Sequence, residues 1–287
     1  MYKSIVVGYD ESLYSKAALA EVSQRIKKNG GSVTLVHAVY FDQEEFAILP
    51  SQMEKRLEIG AHICRTAKTD VQAEYGLDGS IESLVCEGEP PEIIVDTARG
   101  KNADLIALGT YGRRGLRRLL MGSVTSQVIL NSPCDVLVVK KKCDKCTGSY
   151  GSLLVPFDGS ASSEKALARA CALAKADGAE LSVLYVIPRY EEMMDFFKTD
   201  MIKKSLFQEA EKIIEKAKKL AASQGAQIKA VVQEGHAGEK IVEIADKLKN
   251  DVIVMGTHGW RGVNKAIMGS TAERIIASAS CPVLIVK

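Results

Sequence analysis

Two glycine clusters hold the residues of this 287-residue sequence best suited to chemistry. Gly109 and Gly112 are followed, after nine residues, by Gly122, Ser123 and Val124. Gly256 and Gly259 are followed, after the same nine, by Gly269, Ser270 and Thr271. Each cluster comes directly after a short apolar run led by an aspartate, Asp104–Leu108 and Asp251–Met255. A strand that runs into glycines and then into a Gly-Ser helix start presents backbone N–H groups with no Cβ in the way. Such an arrangement holds phosphate oxygens. The chain therefore reads as two nucleotide-binding folds in tandem.

Other chemistry is thinly represented. The sequence has no Gly-x-x-x-x-Gly-Lys-Ser/Thr, hence no P-loop lysine or magnesium-binding hydroxyl beside it, and no kinase motif set. His37 falls within a predicted strand, and His62 and His236 have no histidine at the matching place of the other half. His258 lies in the second glycine loop, but Tyr111 takes its place in the first, which makes it a poor shared base. The pattern predicts a binding site without catalytic residues, not an enzyme. Cys143 and Cys146 form one Cys-x-x-Cys pair in a polar stretch. Three readings stay open for it: half of a zinc site shared across a dimer, a redox pair, or two exposed cysteines of a linker. Cys64, Cys86, Cys134, Cys171 and Cys281 read as small core or near-core residues.

The elements that must position these loops also repeat. Ile5–Ser12 matches Leu153–Ser160 at an offset of 148, and Gly88–Gly122 matches Gly235–Gly269 at 147. A period of this size means duplicated domains, because solenoid repeats recur every ~20–50 residues. In the first half, apolar runs at Ser4–Val7, Val33–Val39, Ser80–Cys86, Leu105–Leu108 and Val136–Val139 predict strands. Ser15–Asn29, Met53–Lys68, Pro91–Lys101 and Val124–Asn131 have helical spacing or helix-start signals. Near-continuous apolar strands alternating with helices predict parallel sheets covered on both faces, a doubly wound α/β sandwich in each half. The domains are expected at 1–141 and 151–287, with residues 142–150 as a polar, Gly/Ser-bearing linker. The halves differ most at Tyr40–Arg56 and Pro188–Gln208. Within the latter, Glu191–Phe197 reads either as a flap or partner surface, or as an amphipathic helix packing Met193, Met194, Phe196 and Phe197 inward.

Composition excludes several classes of function. A net charge of +2 with no long basic run gives no general attraction to nucleic acid or anionic membrane. No apolar run approaches the ~20 residues of a transmembrane helix. Met1–Gly8 enters a strand without a charged and apolar leader, and an odd set of seven cysteines suits a reducing compartment. The expected location is the cytoplasm.

The combination of apolar strands with Gly-x-x-Gly, nine residues and Gly-Ser, found twice and each time with an aspartate after the first strand, resembles the nucleotide-binding branch of the universal stress protein family. The resemblance covers nearly the whole chain. It implies in each half a five-stranded parallel sheet ordered 3-2-1-4-5, with helices on both faces. Asp10 and Gly109 would then meet at the topological switch point, where open α/β sheets bind ligands. By the same resemblance the ligand is ATP, with or without magnesium. Gly109 and Gly256 would pass close to the ribose, Gly112 and Gly259 would permit the turn, and Gly122, Ser123, Val124, Gly269, Ser270 and Thr271 would hold phosphates. Asp10 and Asp158 would accept from ribose hydroxyls or the adenine amine, or else cap the helices beside Ser12 and Ser160. Ala38 and Val186 would meet adenine through their backbone. The loops are unequal: Arg113, Arg114, Arg117 and Arg118 in the first face Trp260, Arg261, Asn264 and Lys265 in the second. The family pairs its fifth strands across a two-fold axis, which implies a homodimer or an intrachain pseudo-dimer. The function implied is a nucleotide-dependent regulatory or protective module in stress response, with protein partners unknown. The alternatives are a slow ATP-hydrolysing enzyme of the same superfamily, or an interaction scaffold without nucleotide.

Overall fold

The computed structural model describes residues 2–40, 50–77, 79–111, 121–142, 147–188, 200–257 and 268–287. The chain divides into two compact units, Met1–Ser149 and Tyr150–Lys287. The expected linker falls largely on the first unit's side. Lys142 Nζ pairs with Glu74 at 3.0 Å, and Lys28 Nζ donates to Ser149 Oγ. Tyr150 N donates to Asp177 Oδ2 at 3.0 Å, inside the second unit.

The first unit runs β1 (Ser4–Gly8), α1 (Leu13–Asn29), β2 (Ser32–Val39), α2 (Pro50–Tyr75), β3 (Ile81–Glu87), α3 (Pro90–Gly100), β4 (Leu105–Gly109), α4 (Ser123–Asn131) and β5 (Asp135–Val139). Among the described residues these strands form a parallel sheet in the order β3-β2-β1-β4-β5. The registers Val7↔Leu35 and Val7↔Ala107 put β1 between β2 and β4. Ile5, Val6 and Val7 on β1 and Leu105–Leu108 on β4 are all buried, as strands covered on both faces must be. Helices α1 and α2 pack side by side, and so do α3 and α4. The β1–α1–β2 and β3–α3–β4 crossovers run in opposite directions across the sheet. Connections of one hand then place their helices on opposite faces.

The second unit repeats this path with β6 (Ser152–Pro156), α5 (Ala161–Asp177), β7 (Glu180–Pro188), α6 (Asp200–Ser223), β8 (Lys229–Gly235), α7 (Ala237–Leu248), β9 (Val252–Gly256), α8 (Ser270–Ser278) and β10 (Val283–Val286). Its strands lie parallel in the order β8-β7-β6-β9-β10. The aspartates that lead the fourth strands fasten the opposite edge of each sheet from the glycines. Asp104 accepts from Lys3 N (2.7 Å) and Ser4 N (3.2 Å), and Asp251 accepts from Gly151 N (2.6 Å) and Ser152 N (3.0 Å). They tie the starts of β4 and β9 to those of β1 and β6, which brings the ends of the same strands together at the other edge.

Candidate functional site

At the carboxyl edge of the first sheet the chain leaves β1 through Tyr9, Asp10, Glu11 and Ser12. Tyr9 N donates to Val36 O at 2.9 Å, and Tyr9 O meets His37 Nδ1 at 2.7 Å, a contact that puts the ring proton on Nδ1. Burial pushes the Tyr9 phenol up to about 12, and the anionic neighbours Glu11, Asp70, Cys64 and Asp10 add to the shift. Asp10 Oδ1 accepts from Ser12 N at 3.0 Å, closing a turn, and Ser12 Oγ accepts from Ser15 N at 3.1 Å to cap α1. The second unit makes the same turn. Asp158 Oδ1 accepts from Ser160 N (3.0 Å) and from Ser160 Oγ (2.6 Å), and Ser160 Oγ accepts from Ser163 N at 3.2 Å to cap α5. Both aspartates therefore brace a helix cap.

The glycine that ends the fourth strand meets this cap. A Cβ at Gly109 would stand 2.5 Å from Tyr14 Cβ, 2.7 Å from Tyr14 C and 2.8 Å from Ser15 N. At Gly256 a Cβ would strike Ser162. The missing side chain is thus filled by the first turn of α1 or α5, and glycine there permits close approach of strand and helix. Ser12 Oγ also lies 3.5 Å from Tyr111 O, and Thr125 Oγ1 donates to Gly109 O at 2.8 Å. The ends of β1 and β4 and the starts of α1 and α4 are in this way one hydrogen-bonded cluster. Tyr14 and Tyr111 meet edge to face, with centroids 5.3 Å apart, and burial followed by the Tyr14 neighbour raises the Tyr111 phenol above its ordinary range.

Helices α4 and α8 begin differently from α1 and α5. Their N-caps are Gly122 and Gly269, with φ −61° and −66°, and neither end carries a side-chain cap hydrogen bond. These angles suit any residue, so backbone conformation does not call for glycine. A Cβ on Gly122 would come 3.1 Å from Thr110 O; among the described residues, one on Gly269 would meet nothing nearer than Thr257 O at 3.7 Å. At position 269 neither conformation nor packing against the described residues accounts for a missing side chain. An uncapped helix start with room above it can receive an anion, because its first N–H groups point outward along the dipole.

The remaining sequence-selected residues fall into three groups. Ser123, Val124, Ser270 and Thr271 form the first turns of α4 and α8, where the resemblance puts phosphates. Ala38 and Val186 lie near the ends of β2 and β7, both half-buried, paired with Cys86 and Gln233. Gly112, Gly259, the arginines of the first loop, His258, Trp260, Arg261, Asn264, Lys265, Cys143, Cys146 and the Glu191–Phe197 segment lie outside the described residues. Among the described residues no group of histidine, cysteine and carboxylate side chains could hold a metal ion, and no helix is long and apolar enough to cross a membrane. The described cysteines are free thiols: Cys64 and Cys171 are buried, and Cys86, Cys134 and Cys281 half-buried. Sequence reading missed the packing partners of Gly109 and Gly256, because the helix that fills the gap is set by the tertiary fold.

Fold and site together define a tandem α/β protein whose two units repeat the same Asp-braced turn after the first strand and the same glycine-led helix start after the fourth. The sequence model of the universal stress protein family matches residues 1–140 and again 149–287, and the chain belongs to that family. Universal stress protein MJ0531 of Methanocaldococcus jannaschii is 37% identical over 140 residues, which cover 48% of this chain and 82% of that protein. Universal stress protein Rv2005c of Mycobacterium tuberculosis is 27% identical over 299 aligned positions, covering 99% of this chain and 96% of its own length. In fold, a universal stress protein from Archaeoglobus fulgidus superposes with a TM-score of 0.72 at 20% identity, covering 99% of this chain and 96% of that one.

Proposed function

We propose that each unit binds an adenine nucleotide, ATP in the first instance, and that the protein works as a nucleotide-dependent regulatory or protective module rather than as an enzyme of rapid turnover. The observation that carries this reading is the uncapped Gly-Ser helix start beside the Asp-braced turn, present in both units. Phosphates would lie on the first turns of α4 and α8, with Ser123 and Ser270 donating from their hydroxyls. Asp10 and Asp158 would accept from the nucleoside, and the backbone near Ala38 and Val186 would meet the base. Magnesium, where present, would neutralise phosphate charge rather than sit in a protein cage.

Nucleotide that holds the α4 and α8 starts would also order the loops leading into them, changing a surface that a partner protein reads. The reading includes self-association, as the family resemblance implies, and a reducing cytoplasmic setting in which the free thiols persist. Titration calorimetry of the full chain with ATP, with and without magnesium, tests the central part. Saturable binding is expected, with a negative heat-capacity change and phosphate release far below one turnover per minute. Sustained multiple turnover would turn the protein into an ATPase, and absence of any heat or melting shift would leave a scaffold.

A further inference from the structure

Glycine leads both α4 and α8, but only α8 carries a carboxylate in its first turn, that of Glu273. Glu273 N donates to Gly269 O at 3.1 Å, which sets this residue one turn along from the N-cap and three residues beyond Ser270. Side chains on a helix lean toward its N-terminus, and residues three and four apart share a face. The exposed Glu273 side chain is therefore carried on the face that begins with Gly269 and Ser270. Gly269 puts no Cβ between that carboxylate and the helix start.

In α5 and α7 the first-turn carboxylates are matched by cations. Glu164 pairs with Lys216, and Glu239 pairs with Arg274 at 2.7 Å. Glu273 has no hydrogen-bond or ion-pair partner among the described residues. Its neighbour Arg274 is committed to α7: it holds Glu239, and its stem fills the place of a side chain at Gly238, where a Cβ would stand 2.8 Å from Arg274 Cδ. Alone, a first-turn carboxylate is favoured by the helix dipole. Beside a phosphate it repels, unless a cation lies between the two. One carboxylate with phosphate oxygens and water is a usual way of holding magnesium, and it needs no cage of several acidic side chains.

We propose that Glu273 makes nucleotide binding by the second unit depend on a divalent cation, a magnesium ion held between its carboxylate and phosphates on the start of α8. The proposal rests on the nucleotide-binding reading above. Ser126 stands in α4 where Glu273 stands in α8, at the same 147-residue offset as Gly122 and Gly269. Ser126 N donates to Gly122 O at 3.0 Å in the same way. Serine brings no charge, so position 126 imposes no such requirement on the first unit.

Titration calorimetry on the full chain with ATP, in excess magnesium and in EDTA, tests it. The Gly122→Ser chain reads the second unit alone, and the quantity of interest is its dissociation constant in EDTA divided by that in magnesium. Adding Glu273→Gln should lower this ratio about tenfold, the order of one carboxylate–phosphate pair near a protein surface. A role in helix stability alone would move both constants together and leave the ratio unchanged. Conversely, Ser126→Glu in the Gly269→Ser chain, which reads the first unit, should raise its ratio by a similar factor, and this variant decides if Glu273→Gln fails to fold. A ratio that the substitution leaves unchanged overturns the proposal while nucleotide binding stands. A wild type that binds no ATP in either condition, or a Gly122→Ser chain that still binds two, overturns the nucleotide reading and the proposal with it.

Discussion

Replacing Gly269 by serine should move stability and ligand binding in opposite directions. The backbone at φ −66° accepts any residue, and the new Cβ meets Thr257 O at an ordinary 3.7 Å. Serine is also a better N-cap than glycine, by a few tenths of a kcal/mol, and α8 has no side-chain cap of its own. Without nucleotide the variant should melt at the wild-type temperature or about 1 °C above it. The same hydroxymethyl group occupies the space over the helix start and satisfies the N–H groups that a phosphate would use. ATP at a hundred times its dissociation constant should stabilise the wild-type unit by about 2.7 kcal/mol, roughly 8 °C for a domain of this size. Gly269→Ser should lose that increment in the second unit. The assay is thermal melting by circular dichroism with and without ATP, on the wild type, Gly269→Ser and the matching Gly122→Ser. A Gly269→Ser protein that melts several degrees lower without ligand would refute the packing argument. One that keeps the full ATP shift would refute the assignment of phosphate to this helix start.

Three further outcomes follow from the geometry. Gly109→Ala forces a Cβ against Tyr14 and the backbone N of Ser15 at 2.5–2.8 Å, and overpacking of this kind should cost about 1–3 kcal/mol in urea unfolding, ligand or no ligand; wild-type stability would sink the close-approach explanation. Tyr2→Phe removes the 2.6 Å hydrogen bond to the buried carboxylate of Asp135 and should cost about 1.5–3 kcal/mol, with an unchanged m-value. Burial pushes the Cys64 thiol from its ordinary 9.0 up to about 11. Because the unfolded thiol ionises first, this contribution is complete below pH 9 and is lost as pH rises toward 11, at about 1.4 kcal/mol per unit. Cys64→Ala should flatten that slope of stability against pH, and an unchanged slope would assign it to other groups.

Much of the fold was legible because each strand is a short apolar run bounded by glycine, proline or polar residues. The expected β4 at Leu105–Leu108 is one residue short of the observed Leu105–Gly109, and β2 misses only Ser32. The second helix was harder: the pattern ends it at Lys68, but it continues to Tyr75 because Val71 and Tyr75 extend the buried stripe of Cys64 and Ala67. Polar residues between them masked that stripe.

At the site, the sequence pointed to Gly122 and Gly269 as helix starts, and both are N-caps, of α4 and α8. For Gly109 and Gly256 the close packing was not legible, since nothing local in the sequence shows that α1 and α5 press against them. Lys216 was invisible for the same reason. Its Nζ donates to Gly159 O at 2.9 Å, and only the packing of α6 on α5 brings these two residues, distant in sequence, together.

The central claim is that both units hold adenine nucleotide on their glycine-led helix starts. The most direct measurement is to denature freshly purified full-length protein and the Gly122→Ser, Gly269→Ser double variant, then separate and quantify the released nucleotides by chromatography. The account predicts adenine nucleotide at up to two per wild-type chain, after incubation with ATP where needed, and none from the double variant. Wild-type protein that releases none and takes up none, or a double variant that retains as much as the wild type, would contradict it.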